Sequence, residues 1–259
     1  MCLIVFGYRT IPGYKLVFAA NRDEFYNRPT RPAGFWKDNR GMLAGKDLKA
    51  GGTWLGIHKN SRFGALTNYR DMKSHNPDAR SRGHLVTQYL NGNQSAVQFL
   101  DQIDDEAYNG FNLLLGDMNS FWHYSNQTGE PIEIEPGIHG ISNALLNTPW
   151  PKVESSKSRF RELVEEDELT TENLFGLLRN SDTYPEDSLP ETGLSPELEK
   201  AVSATFIRTE KYGTRCSTLL FIRDDHSVRF VERTYQPGST EVAQENGYEF
   251  KAEPAGRTL

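Results

Sequence analysis

Cysteine is scarce in this chain, with two residues, Cys2 and Cys216, among 259. At most one intramolecular disulfide is available, and a chain long enough to bury a substantial core needs none, so a reducing, cytoplasmic setting is expected. Long apolar runs are missing as well. The longest lie near Leu3 to Phe6, Leu113 to Leu115 and Leu219 to Ile222 and fall far short of a bilayer span. No basic leader precedes the first of them, so neither a secretory signal nor a transmembrane segment is expected. The chain also has no basic excess. Its 35 acidic and 29 basic side chains give a net charge of −6, which argues against a nucleic-acid or anionic-membrane binder and points to small molecules or proteins as partners. The six histidines are scattered without zinc-type spacing, so no metal is expected. Gly41 to Asp47 has the wrong spacing for a phosphate loop, and Gly51 to Gly56 lacks the dinucleotide pattern. No covalent haem attachment motif occurs.

What is present is a succession of short strand-like runs. Leu3 to Tyr8 and Lys15 to Ala20 flank Thr10 to Gly13 and read as a β-hairpin, which puts Cys2 at a strand end and Asn21 to Glu24 just beyond one. Thr53 to His58 with Arg62 to Thr67, and Phe111 to Leu115 with Phe121 to Tyr124, form further pairs. A last group comprises Thr205 to Arg208, Ser217 to Arg223 and Ser227 to Arg233. Helical spacing appears at Leu85, Tyr89 and Leu90, at Val97, Leu100 and Ile103, and over about Lys152 to Val164 and Thr171 to Arg179. Strand clusters separated by helix pairs do not alternate as βαβ units and predict a layered α+β fold. Asp182 to Pro196 reads as a long loop of the kind that serves as a lid or binding loop. With no internal repeat and no linker, one domain is expected across residues 1–259. The tail from about 237 is polar and carries no readable element.

Cys2 follows Met1, and a small residue in second place permits removal of the initiator methionine. The exposed residue would combine a thiol (pKa ~8.5) with a free α-amine (pKa ~7.7–8.0), a nucleophile and a base in one. Taken alone, Cys2 reads first as a small buried residue of a first strand. Arg22 and Asp23 are placed to flank it from the second strand, with opposite effects on a thiolate. Asn68 and Asn143 each end a strand-like run, where an amide serves either turn chemistry or an oxyanion. Arg215 precedes an apolar strand and suits a substrate carboxylate or a thiolate, or else a surface turn. Cys216 is read as structural.

Several segments together carry a family resemblance. They are Met1-Cys2, Asn21-Arg22-Asp23-Glu24, Gly51-Gly52-Thr53-Trp54-Leu55-Gly56, Leu66-Thr67-Asn68-Tyr69-Arg70, Ser142-Asn143, Leu189-Pro190-Glu191-Thr192-Gly193 and Tyr212-Gly213-Thr214-Arg215-Cys216-Ser217-Thr218. On these the chain resembles the NRDE proteins, also called the Transport and Golgi organization family, which in turn resemble cysteine-type N-terminal nucleophile hydrolases such as bile-salt hydrolases and penicillin V acylases. The resemblance implies a four-layer αββα sandwich and hydrolysis of a carbon–nitrogen amide or an acyl thioester. It also implies Cys2 as nucleophile, its α-amine as base, Arg22 and Asp23 beside them, Asn68 and Asn143 as oxyanion donors, and Arg215 completing the site. Those amidases space their arginine and aspartate farther apart than Arg22-Asp23, which leaves Glu24 as an alternative to Asp23. That chemistry requires no cofactor. The family's association with haem mobilisation, lipid or acyl-CoA metabolism and secretory-pathway organisation implies a second reading, a noncatalytic carrier of haem or an acyl-CoA-type lipid, with Phe25, Tyr26, Arg28, Trp36 and Trp54 near the ligand.

Overall fold

The computed structural model describes residues 2–72 and 74–253. The chain opens with the expected hairpin, β1 (Cys2–Ile11) and β2 (Tyr14–Phe25), turning through Gly13 at φ +79°. A meander follows: β3 (Thr30–Phe35), β4 (Met42–Asp47), β5 (Leu55–His58) and β6 (Phe63–Asn68). Helices α1 (Gly83–Asn91) and α2 (Ala96–Leu100) interrupt it before β7 (Phe111–Gly116), β8 (Phe121–Ser125) and β9 (Ile132–Glu133) complete it. Then come β10 (Gly137–Ile141), helices α3 (Pro151–Glu165), α4 (Thr171–Leu178) and α5 (Pro196–Ala201), and strands β11 (Tyr212–Arg223), β12 (Ser227–Tyr235) and β13 (Val242–Lys251).

The strands form two antiparallel sheets, one ordered β10-β1-β2-β11-β12-β13 and the other β3 through β9 in sequence. Alternation at period two assigns each face. In β1 and β2, Ile4, Phe6, Tyr8, Leu16, Phe18 and Ala20 enter the core between the sheets, while Val5, Val17 and Ala19 pack outward against Phe160, Leu163, Leu174 and Phe175 of α3 and α4. On the other sheet, Leu113 and Leu115 turn outward to Leu85, Tyr89 and Leu90 of α1. The result is the αββα sandwich. Both faces of the central strands are buried, which is why they read as continuous apolar runs rather than as alternating ones.

Several boundaries differ from the sequence reading. Asn21 to Glu24 lie inside β2, not beyond it, because Cys2 and Leu3 on one side and Gly213, Thr214 and Ser217 on the other pair with them in the ladder. Thr205 to Arg208 forms no strand. It is held as a bend by Asn21, which donates to the Thr205 carbonyl, and by a single bridge from Arg208 to Gly213. The tail beyond 237 does carry an element: β13 is an edge strand paired with β12 from Ser227↔Lys251 to Tyr235↔Val242. Its mostly exposed pattern conceals it from a hydropathy reading. β3 and β4 escape for a related reason, being short and carrying Pro32, Gly34 and Gly45.

A polar thread runs inside the sandwich. His123 is 3% exposed on the inter-sheet face of β8, and burial lowers its pKa from 6.5 to about 4. An imidazole held neutral in the fold but free to protonate when unfolded costs stability as pH falls from about 6.5 to about 4. We therefore expect His123→Gln, which cannot titrate, to gain about 3 kcal/mol on the wild type across that interval, as read by denaturant melts at each pH. Equal pH slopes for the two proteins would contradict the burial argument.

Candidate active site around Cys2

Cys2 pairs with Arg22 across β1 and β2, and Arg22 pairs with Cys216 across β2 and β11, so the three occupy one row of the sheet. That row lies on the face turned toward the other sheet. Arg22 is 6% exposed and its guanidinium stacks 4.3 Å above the Trp54 ring. It donates to Thr30 Oγ1 at 3.4 Å and lies 3.8 Å from Glu24 and 4.0 Å from Asp47. Asp23, one residue on, must point the other way. Its carboxylate accepts from Thr214 Oγ1 at 2.7 Å on the helix side of the sheet, and its carbonyl accepts from the Tyr212 hydroxyl at 3.0 Å.

Burial pushes the Cys2 thiol pKa up. The Asp23 charge adds to this, while the Asp23 backbone N–H and the Arg22 guanidinium oppose it. Burial likewise raises Asp23, against the pull of Lys152 and Arg22. Lys152, which the sequence reading passed over as a helix residue, is 2% exposed, donates to the Val202 carbonyl at 2.9 Å, and is lowered by burial to about 8 with Asp23 pulling it upward. Of the two acidic candidates, Asp23 is thus the one electrostatically joined to Cys2. Glu24 instead serves the arginines, 3.8 Å from Arg22 and 3.7 Å from Arg28.

The two asparagines play different parts. Asn68 lines the cavity of about 380 Å³ that also holds Cys2, and its side-chain amide makes no hydrogen bond among the described residues. Asn143 lies outside that cavity's wall. Its Nδ2 donates to the Asn68 carbonyl at 2.8 Å and its Oδ1 accepts from Arg70 Nη2 at 3.3 Å, while Ser142 Oγ donates to the Cys2 carbonyl at 2.9 Å. The geometry therefore offers Asn68 as a donor to a bound group and Asn143 as its support. Arg215 does not line the Cys2 cavity. It sits at the bulge between Thr214 and Cys216, and its guanidinium donates to the carbonyls of Phe25 and Arg28 at 2.8 and 3.1 Å, fastening the loop after β2. Cys216 is fully enclosed beside Glu232, as expected of a structural thiol.

The rest of the cavity wall includes Arg28, Asp47, Lys49, Gly52, Trp54, Arg80 and Arg82. Gly52 is required there, since a Cβ would lie 2.4 Å from the Gly83 carbonyl carbon at the start of α1. Lys49, Arg80 and Arg82 have no ion-pair partner within 4.0 Å among the described residues. These basic residues gave no motif in the sequence because two separate loops, β4–β5 and β6–α1, supply them. Of the five residues read as a carrier surface, only Arg28 and Trp54 reach the cavity. Phe25 is exposed, Tyr26 packs on Gly213, and Trp36 is buried with Nε1 donating to the Ala44 carbonyl. The Asp182 to Pro196 loop walls a separate cleft of about 1070 Å³, where Thr192 meets the buried Arg70–Glu199 pair. That cleft is larger, but no cysteine lines it among the described residues.

Removing the Asp23 charge should lower the Cys2 pKa. In Asp23→Asn the pH profile of Cys2 alkylation by iodoacetamide is expected to move to lower pH, with a thermal melt confirming that the fold survives. A profile that stays in place or moves upward in a folded variant would break the proposed coupling.

The family model described as Transport and Golgi organisation 2 matches residues 1–237. The mouse Transport and Golgi organization 2 homolog is 38% identical over 274 residues, covering 96% of this chain and 99% of the relative. The human homolog is 36% identical over the same shares of both chains. Among solved structures, conjugated bile acid hydrolase from Clostridium perfringens aligns with a TM-score of 0.51 at 9% identity, covering 95% of this chain and 92% of that one, a likeness of fold alone. Sequence and architecture agree, and the chain belongs to the Transport and Golgi organisation 2 family.

Proposed function

We propose that this chain is an N-terminal-cysteine hydrolase that cleaves a carbon–nitrogen amide, or a related acyl thioester, in an anionic substrate. The observation that carries this reading is the Cys2 thiol sharing a cavity with the uncommitted amide of Asn68 and with Lys49, Arg80 and Arg82, which have no ion pair among the described residues. Met1 lies outside the described residues, and its removal is part of the proposal.

In this mechanism Cys2 Sγ attacks the substrate carbonyl carbon and a C–S bond forms. The thiol proton passes to the Cys2 α-amine, and the carbonyl electron pair moves onto oxygen, where Asn68 Nδ2 donates to it. Collapse breaks the bond to the amine or thiol leaving group, which takes its proton from the ammonium. Water, giving a proton to the same amine, then attacks the acyl-Cys2 thioester and restores the thiol while the acid departs. Arg22 faces the thiol and favours thiolate, while Asp23 and Lys152 hold a compensated charge pair behind it. The cationic wall recruits the substrate's negative charge.

Intact-mass spectrometry after exposure to a panel of acyl amides and acyl thioesters tests the reading. The expected spectrum lacks Met1 and carries one acyl group on the N-terminal peptide. Cys2→Ala should carry none, and Asn68→Ala should acylate about a hundredfold more slowly. Uniform retention of Met1 in active protein would refute the mechanism. Full biological activity of Cys2→Ala would favour the carrier reading, which a haem titration and acyl-CoA retention would then examine.

A further inference from the structure

Asn68 is the last residue of β6, and strand ends open readily unless something outside the strand holds them. Three cross-sheet hydrogen bonds do so here. Asn143 Nδ2 donates to the Asn68 carbonyl at 2.8 Å, and the Arg70 N–H donates to the Asn143 carbonyl at 2.8 Å. The third comes from Asn112 on β7, 1% exposed between the sheets. Its Nδ2 donates both to Thr67 Oγ1 at 3.1 Å and to the Ala144 carbonyl at 3.0 Å. Thr67 and Ala144 are the chain neighbours of Asn68 and Asn143. One buried amide therefore grips, from behind, the segments that carry both asparagines, one on each sheet.

The orientation of that amide is itself controlled. His123 Nε2 lies 3.3 Å from Asn112 Oδ1, and a ring nitrogen facing an oxygen must carry the proton. A flipped amide would set its NH₂ against this N–H and leave Thr67 and Ala144 facing an oxygen, losing the bond to the Ala144 carbonyl outright. Burial keeps the ring neutral, so its single proton is committed to Nε2. His123 Nδ1, correspondingly, has no hydrogen-bond partner among the described residues.

We infer that Asn112 is a positioning residue for Asn68, held in its donating orientation by the Nε2–H tautomer of His123. The role given to Asn68 rests on the acyl-transfer reading, whereas the clamp does not. Asn112 does not itself line the Cys2 cavity and acts through the chain neighbours of the two asparagines.

Asn112→Ala and His123→Phe test this, with His123→Gln as the conservative partner, because a glutamine amide can still donate to Asn112 Oδ1. The first two should slow acyl-Cys2 formation by about tenfold to a hundredfold, as expected when a donor is misplaced by an ångström or less. Their Cys2 alkylation by iodoacetamide, which develops no oxyanion, should stay unchanged. His123→Gln should recover most of the acylation rate. Hydrogen exchange should quicken in Asn112→Ala at Asn68 to Arg70 and Asn143 to Ala144, and nitrogen NMR should find His123 as the Nε2–H tautomer at neutral pH. Unchanged exchange in those segments, or an Nδ1–H tautomer, would overturn the clamp. Faster exchange with wild-type acylation would overturn the positioning role. A wild type that acylates with nothing would defeat the acyl-transfer reading instead, and exchange and NMR would still decide the clamp.

Discussion

The pleat of β2 is the constraint on which the rest of the site depends. β2 is hydrogen-bonded along both edges, to β1 and to β11, so its register cannot slip without breaking two ladders. Adjacent residues of such a strand face opposite ways. Arg22 is thereby committed to the space between the sheets, over Trp54, and Asp23 to the helix layer, against Thr214 and Lys152. Two opposite charges that look like a solvated pair in the sequence become a cation in the cavity and a carboxylate behind Cys2. The adjacency that sets Arg22-Asp23 apart from the amidase pattern is accommodated by this split, since Asp23 reaches Cys2 through its backbone N–H and its field.

This arrangement places much charge where water is scarce. Asp23, Lys152, Arg70 and Glu199 are each 9% exposed or less, and Arg70–Glu199 is a 2.7 Å ion pair. Buried pairs of this kind seldom stabilise a fold beyond what apolar residues would, because desolvation offsets the attraction. Their value here is positional. Arg70 joins Glu199, Thr192 and Asn143, and Asn143 holds the Asn68 carbonyl, so the polar interior at this end of the sandwich is one connected support for the cavity. The apolar core between the sheets makes that support affordable.

Much of this could be read from the sequence, and the part that could not has physical causes. Period-two and 3.6-residue patterns reveal elements with a buried face, and so the first hairpin, β7, β8, α3 and α4 were all legible. β13 was hidden because an edge strand with exposed side chains leaves no apolar signature. The candidate residues Cys2, Arg22, Asp23 and Asn68 were legible by type, and all four line one cavity. Lys152, Asn112 and His123 were not, since each sits in an ordinary helix or strand pattern and acquires its meaning only from partners distant in the chain. Arg215 shows the converse. Its local sequence suits a site, but the bulge at that position turns it to backbone carbonyls.

The electrostatics of Cys2 decide what kind of base the site needs. Its thiol is shifted upward, so thiolate is rare at neutral pH unless a partner takes the proton as attack proceeds. No histidine lines the cavity among the described residues, and the carboxylate nearest in its effect, Asp23, faces the helix layer with Thr214 on one oxygen. Lys152 is spoken for by the Val202 carbonyl and by Asp23. In the hydrolase we propose, the base is the α-amine of a processed Cys2, whose ordinary pKa, ~7.7–8.0, matches the task at neutral pH. In that proposed mechanism the Asp23 carboxylate stabilises the ammonium that forms on taking the thiol proton. The raised thiol pKa, which in isolation counts against a reactive cysteine, becomes a condition under which proton transfer and attack proceed together.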